Sequence, residues 1–150
     1  QQFLDHLTMY RPSKNFVRRF LSLPIIFLGL SLEALEISFA GTEKFLTVSI
    51  ANNDQLRRKG LMHTDDLKQN TGMLFLWQTS GQRCMWMKDT SLSLSVAYLS
   101  GEGAIQEIYA MEPYSEESVC SVSPARMALE VKEGWFAENG IGVGNTIIFK

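Results

Sequence analysis

Apolar side chains recur at every second position in several stretches of this chain, the period of a strand with one buried face. Leu46, Val48 and Ile50 alternate with Thr47 and Ser49. Leu92, Leu94, Val96 and Tyr98 alternate with Ser91, Ser93, Ser95 and Ala97, which predicts a strand whose outward face is small and hydroxylated. Met127, Leu129 and Val131 share one face of a further strand, leaving Arg126, Ala128 and Glu130 on the other. Met73 to Trp77 is apolar without interruption and bounded by turn residues, as suits a strand covered on both sides. Cys84 to Asp89 predicts a central strand with Cys84, Trp86 and Lys88 on one face and Met85, Met87 and Asp89 on the other, its end emerging at a rim.

Turn and cap signals divide these stretches. Asn53 is a helix N-cap with Asp54 in the first turn and Gly60 as the stop, and Thr64 with Asp65-Asp66 opens a second helical turn or a capped loop. Ser100-Gly101-Glu102-Gly103 turns a hairpin into Ala104 to Ala110. The acidic connection Glu112 to Ser123 reads as a mobile flap, Glu133 to Asn139 as a short helix ending at Gly140, and Asn145 to Phe149 as the closing strand. Six or seven strands with one or two short helices predict a mainly β domain, a small β-sandwich or barrel.

The first forty residues follow a different pattern. Arg11, Lys14, Arg18 and Arg19 follow Met9 with no intervening acid, then Phe20 to Leu32 is mostly apolar, then Ser38-Phe39-Ala40 places small residues three before and directly at a cut after Ala40. This is the layout of a secretory signal peptide. An uncleaved membrane anchor is the alternative, but thirteen helical residues rise only about 20 Å against the roughly 30 Å of a hydrocarbon core. Residues 1–40 are thus expected to be an extension plus signal peptide, Gln1 to Thr8 preceding a candidate initiator, and 41–150 a single exported domain, periplasmic or secreted. Membrane contact is expected only through the N-terminal segment.

From Gly41 to Lys150 the chain has 10 basic and 13 acidic residues, a balance of −3, with no dense basic cluster beyond Arg57-Arg58-Lys59. That run reads as a solvated helix face, and nucleic acid is not an expected partner, since its recognition needs a basic surface. In an oxidising compartment Cys84 and Cys120 raise the question of a bridge. Buried free thiols, or a reactive or metal-binding pair, are the alternatives.

Arg57 three before Gly60-Leu61-Met62, then Gly72-Met73-Leu74-Phe75, Trp86-Met87-Lys88, Pro124-Ala125-Arg126 with Leu129-Glu130, Gly134-Trp135 and Gly140-Ile141 with Gly144 follow one another in order. Together they resemble the bacterial and archaeal domain-of-unknown-function 192 family over nearly all of Gly41 to Lys150. The resemblance implies a small exported β domain with no established biochemical activity. Asp89 stands where the family commonly has Asn, Ser93-Leu94-Ser95 where it often has Pro-Leu-Asp, and Thr64 where Arg is frequent. A hydroxyl at Ser95 cannot replace an ionised carboxylate, which weakens any carboxylate-catalysis reading here. Cys-Met-Trp-Met with a later Cys resembles one branch of the family and supports the Cys84–Cys120 bridge.

The candidate ligand-binding residues are Trp86, Lys88, Asp89, Thr90, Arg126 and Glu130. Arg126 is expected to meet Asp89 across strands, leaving Trp86 and Lys88 for an anionic or sugar-like small molecule; an envelope protein is the other partner considered. The competing reading is a Trp-centred core plug with a rim of ion pairs. Met62, Met73, Met85, Met87, Met111 and Met127 with His63 and two Cys would suit soft-metal (copper) binding, although Met is also an ordinary gap-filler. Cys84 with His63 would make a hydrolase or transferase nucleophile pair, but no orienting third residue or oxyanion motif accompanies it. A non-catalytic binding or accessory role without cofactor or metal is the expectation.

Overall fold

The computed structural model describes residues 34–150. Nine strands and two short helices follow in the order β1 (Ala34–Phe39), β2 (Phe45–Ala51), α1 (Asp54–Lys59), β3 (Thr71–Gly81), β4 (Cys84–Met85), β5 (Leu94–Leu99), β6 (Ile105–Met111), β7 (Val119–Cys120), β8 (Ala125–Lys132), α2 (Trp135–Glu138) and β9 (Ile147–Phe149). Seven strands form one sheet in the order β6-β5-β8-β3-β2-β1-β9, and β4 with β7 makes a separate ribbon. Only β2 and β3 run parallel, and α1 lies in their connection.

The large sheet curls until its edges meet at one end. Ile105 N–H donates to the Asn145 carbonyl at 2.8 Å and Ile147 N–H to the Gly103 carbonyl at 3.0 Å, so the start of β6 and the approach to β9 share hydrogen bonds. The result is a half-barrel, within the mainly β class that the alternating pattern predicts. Edge strands that bond to one another leave less unpaired backbone open to other chains.

Each face of this sheet carries its own apolar cluster. Leu74, Ala97, Leu99, Leu129 and Val131 pack with Ile37, Phe39, Trp135 and Phe136 on one face. Met73, Phe75, Val96, Tyr98 and Ala128 pack with Leu61, Met85 and Met87 on the other. Every residue of β5 is therefore buried, and Ser95 and Ala97 do not form the outward hydroxylated face expected of them. The β4–β7 ribbon, α1 and their loops cover the second face.

Three further expectations are corrected. β1 pairs with both β2 and β9 and buries Ile37 and Phe39, so the fold takes in residues ahead of the expected start at Gly41. Cys84 to Asp89 is not a central strand: only Cys84 and Met85 pair, and Asp89 turns the chain at φ 52°. Of the two forms expected at Thr64, the chain takes the loop. The Glu112–Ser123 connection contains β7, which is tied down from three sides: Cys120 is disulfide-bonded to Cys84, Tyr98 Oη donates to the Val119 carbonyl, and Glu107 accepts the N–H groups of Val122 (2.9 Å) and Ser123 (2.6 Å). The expected signal segment lies outside the described residues apart from its last seven positions.

Because β1 is the bridge between β2 and β9, a chain beginning at Gly41 is expected to lose cooperative thermal unfolding, whereas one beginning at Leu32 retains it; circular dichroism melts of the two compare them directly.

Candidate functional site

The first three of the motif runs converge on one place. Gly60-Leu61-Met62 ends α1, Phe75 comes from the centre of β3, and Trp86-Met87 with Thr90 comes from the loop after β4; together they line a cavity of about 380 Å³ on the second face of the sheet. His63 N–H donates to the Asp89 carbonyl at 2.9 Å and so fastens the first run to the third. Gly60 sits at φ 49°, and a Cβ there would stand 3.5 Å from the Phe75 ring, so the position combines a left-handed turn with close ring contact. At Gly72 a Cβ would fall 2.5 Å from the Glu130 carbonyl, and the missing side chain lets β3 and β8 approach.

Glu130 forms part of the cavity lining and retains only 4% of its surface exposure. Its neighbours across the strands are Met73 on β3 and Val96 on β5, both apolar. Burial alone acts on its carboxyl, with no ion pair or hydrogen bond to oppose it, and pushes its pKa from 4.5 up to about 8. At neutral pH it is therefore mostly a neutral acid. Tyr98 shares this environment: burial first, then the nearby Glu130, raises its hydroxyl well above the ordinary range. That hydroxyl holds the ribbon down, donating to the Val119 carbonyl.

The mouth is basic and aromatic. Arg57 is committed to the protein itself, donating to the Leu76 carbonyl at 2.6 Å and to Asp54 at 2.5 Å, and the bond from Arg57 holds the Asp54 carboxyl below its usual range. The guanidiniums of Arg57 and Arg83 lie 5.7 and 4.8 Å from the centre of the Trp77 ring. Arg58 and Lys59 are exposed and make none of the ion pairs found among the described residues. Trp86 is 46% exposed, with Lys88 Nζ 5.4 Å from its ring centre. It is a wall of the cavity and not a core plug.

Of the six residues the sequence singles out, Trp86, Thr90 and Glu130 line this cavity together. Lys88 reaches it only through Trp86. Asp89 and Arg126 do not meet: Arg126 is exposed and its Nε donates to the Trp77 carbonyl at 3.3 Å, outside the cavity. Arg58 and Lys59, read in the sequence as a solvated helix face, line the mouth. Their signal was positional, since they stand directly before Gly60 in the first motif run.

Cys84 and Cys120 are joined directly across the β4–β7 pair. This removes the free thiol that a Cys84–His63 nucleophile requires and both thiolates from the soft-metal set. Met62, Met85 and Met87 line the cavity, Met73 and Met111 pack behind it, and Met127 belongs to the opposite core. Among the described residues no group of three or more His, Cys, Asp or Glu side chains is placed to hold a metal ion.

Residues 36–149 match the profile of DUF192, a family described as an uncharacterised ACR. The chain belongs to this family. No curated protein matches it. Two crystal structures share the DUF192 chain's fold. One, from Sinorhizobium meliloti 1021 and provisionally described as a transcription regulator, is 27% identical, with a TM-score of 0.76 over 80% of this chain and 96% of its own. The other, a protein of unknown function from Novosphingobium aromaticivorans DSM 12444, is 23% identical, with a TM-score of 0.73 over 85% of this chain and 94% of its own.

Two outcomes are expected. Glu130 has a folded-state pKa above its unfolded value, so its contribution to stability is full below about pH 4.5 and declines as the pH rises to about 8, by roughly 5 kcal/mol in all. Glu130→Gln should flatten that slope and raise the melting temperature at pH 8 relative to the wild type. Removing the Cys84–Cys120 bridge, which spans 36 residues, is expected to cost roughly 4 kcal/mol in urea unfolding on the chain-entropy account.

Proposed function

We propose that this DUF192 domain is an exported, non-catalytic binding protein whose cavity beneath Trp86 takes a small organic molecule. Glu130 carries the reading: a buried carboxyl without a protein partner, opening on a cavity of about 380 Å³. A bound molecule offering a hydrogen bond would give this carboxyl the partner that the protein does not. The cavity falls in the size range of small-molecule sites, and its walls of Phe75, Trp86 and Met87 supply the apolar contact such sites use.

Export is supported by the basic and then apolar run from Arg11 to Leu32 and by the disulfide. A cut after Ala40 would remove β1, so the processing point proposed here moves upstream. Gly29-Leu30-Ser31 is another small-x-small exit, and a cut after Ser31 leaves every described strand intact. N-terminal sequencing of the exported protein should then begin at Leu32.

The regulator description of the Sinorhizobium protein is not adopted, because DNA recognition rests on phosphate neutralisation and the span from Gly41 to Lys150 is net acidic.

The binding reading is tested by screening small aromatic and aliphatic compounds by thermal shift, then measuring each hit by calorimetry. Trp86→Ala should weaken binding by about tenfold or more while the domain stays folded. Arg126→Ala, outside the cavity, should leave it unchanged. Equal binding by the Trp86 variant would remove the cavity as the site.

A further inference from the structure

The distribution of charge around the cavity specifies more than an apolar guest, and the argument rests on the binding reading above. Arg58 and Lys59 stand at the mouth without acidic partners among the described ion pairs. Asp54, the acidic side chain on the same helix, is already bonded to Arg57. The aromatic faces of Trp77 and Trp86 are covered in part by the protein's own cations, Arg57, Arg83 and Lys88. A cationic guest would meet repulsion at the mouth and find these faces already engaged. An anionic group would be drawn to the same place.

Glu130 also lines the cavity: its strand neighbours Met73 and Val96 are apolar, no side chain hydrogen-bonds it, and burial favours its neutral form. The charged or titratable groups that share the cavity or its wall with it are Asp54, Arg57, Arg58 and Lys59 on α1 and Tyr98 on β5; β3 contributes Met73, Phe75 and Trp77 to this side, and the loop after β4 turns Lys88 onto Trp86. None of them hydrogen-bonds Glu130, and the Tyr98 hydroxyl is engaged with the Val119 carbonyl.

We propose that the cavity takes an amphipathic monoanion: an anionic head at Arg58 and Lys59, an apolar body against Trp86, Met87 and Phe75, and a neutral hydrogen-bond acceptor, such as a carbonyl oxygen, at Glu130. Glu130 donates its proton to that acceptor in a hydrogen bond and keeps it. Because the acid form has to persist, binding weakens as the pH rises past about 8, about tenfold for each further unit.

Three probes separate the requirements by calorimetry on the oxidised protein at pH 7 and low salt: 4-acetylbenzoate, which has head, body and acceptor; 4-ethylbenzoate, which lacks the acceptor; and 4-acetylbenzylammonium, which reverses the charge. The first should bind about tenfold or more tighter than either of the others. Glu130→Leu should make the two benzoates bind alike, Glu130→Gln should abolish the loss of 4-acetylbenzoate binding above pH 8, and the Arg58→Ala, Lys59→Ala double variant should erase the preference over the ammonium probe. Melting curves at each pH establish that every variant is folded. If 4-ethylbenzoate or the ammonium compound binds as tightly as 4-acetylbenzoate, the ligand class is wrong while the cavity reading stands. If none of the three binds the folded protein, both are overturned.

Discussion

The constraint on which the rest depends is that the three middle strands, β5, β8 and β3, are covered on both sides. A sheet with one wet face can place its polar residues on alternate positions at no cost, but β8 has no wet face along Ala128 to Val131. Any side chain there is desolvated whichever way it points. Glu130 is desolvated for this reason, and the elevation of its pKa is the electrostatic expression of the same packing.

What covers the second face is thin, and it is held by specific bonds more than by bulk. The β4–β7 ribbon contributes two residues per strand, fewer than a freestanding hairpin needs. Its disulfide, the Tyr98 hydroxyl below it and the Glu107 carboxylate beside it supply the missing order. Burial works to raise the Glu107 pKa, yet the Val122 and Ser123 N–H groups and the Tyr109 hydroxyl outweigh it and hold the carboxyl below its usual range. The two acids thus differ by partner: Glu107 has three donors and stays charged, while Glu130 has none and keeps its proton.

Much of the fold was legible because it is written in local patterns. The alternation in β2 and β8, the Asn53 cap whose Oδ1 accepts from Leu56 N–H at 2.9 Å, and the Gly60 stop each act within a few residues of themselves. β1 was missed although Leu35, Ile37 and Phe39 alternate, because the same letters also spell a small-x-small exit and only pairing with β2 and β9 decides between them. The stretch after Met85 alternates as a strand does, yet its backbone bonds are single ones, Met87 N–H to the Ser115 carbonyl and His63 N–H to the Asp89 carbonyl, and they build no ladder. In the site, Trp86, Thr90 and Glu130 were legible as polar or aromatic residues out of place in apolar runs. Arg58 and Lys59 were not, since what makes them part of the cavity is the return of the chain from β4, some twenty-five residues later.

The pairing of β1 with β9 has a consequence in time. Phe39 finds its partner only when Ile147 has been made, and Ala40 N–H waits for the carbonyl of Thr146. A chain emerging residue by residue from the ribosome therefore cannot complete its half-barrel until residues 146–149 are present, and contacts this distant in sequence are slow to form. Until then β1 is paired to β2 alone and keeps one hydrogen-bonding edge open.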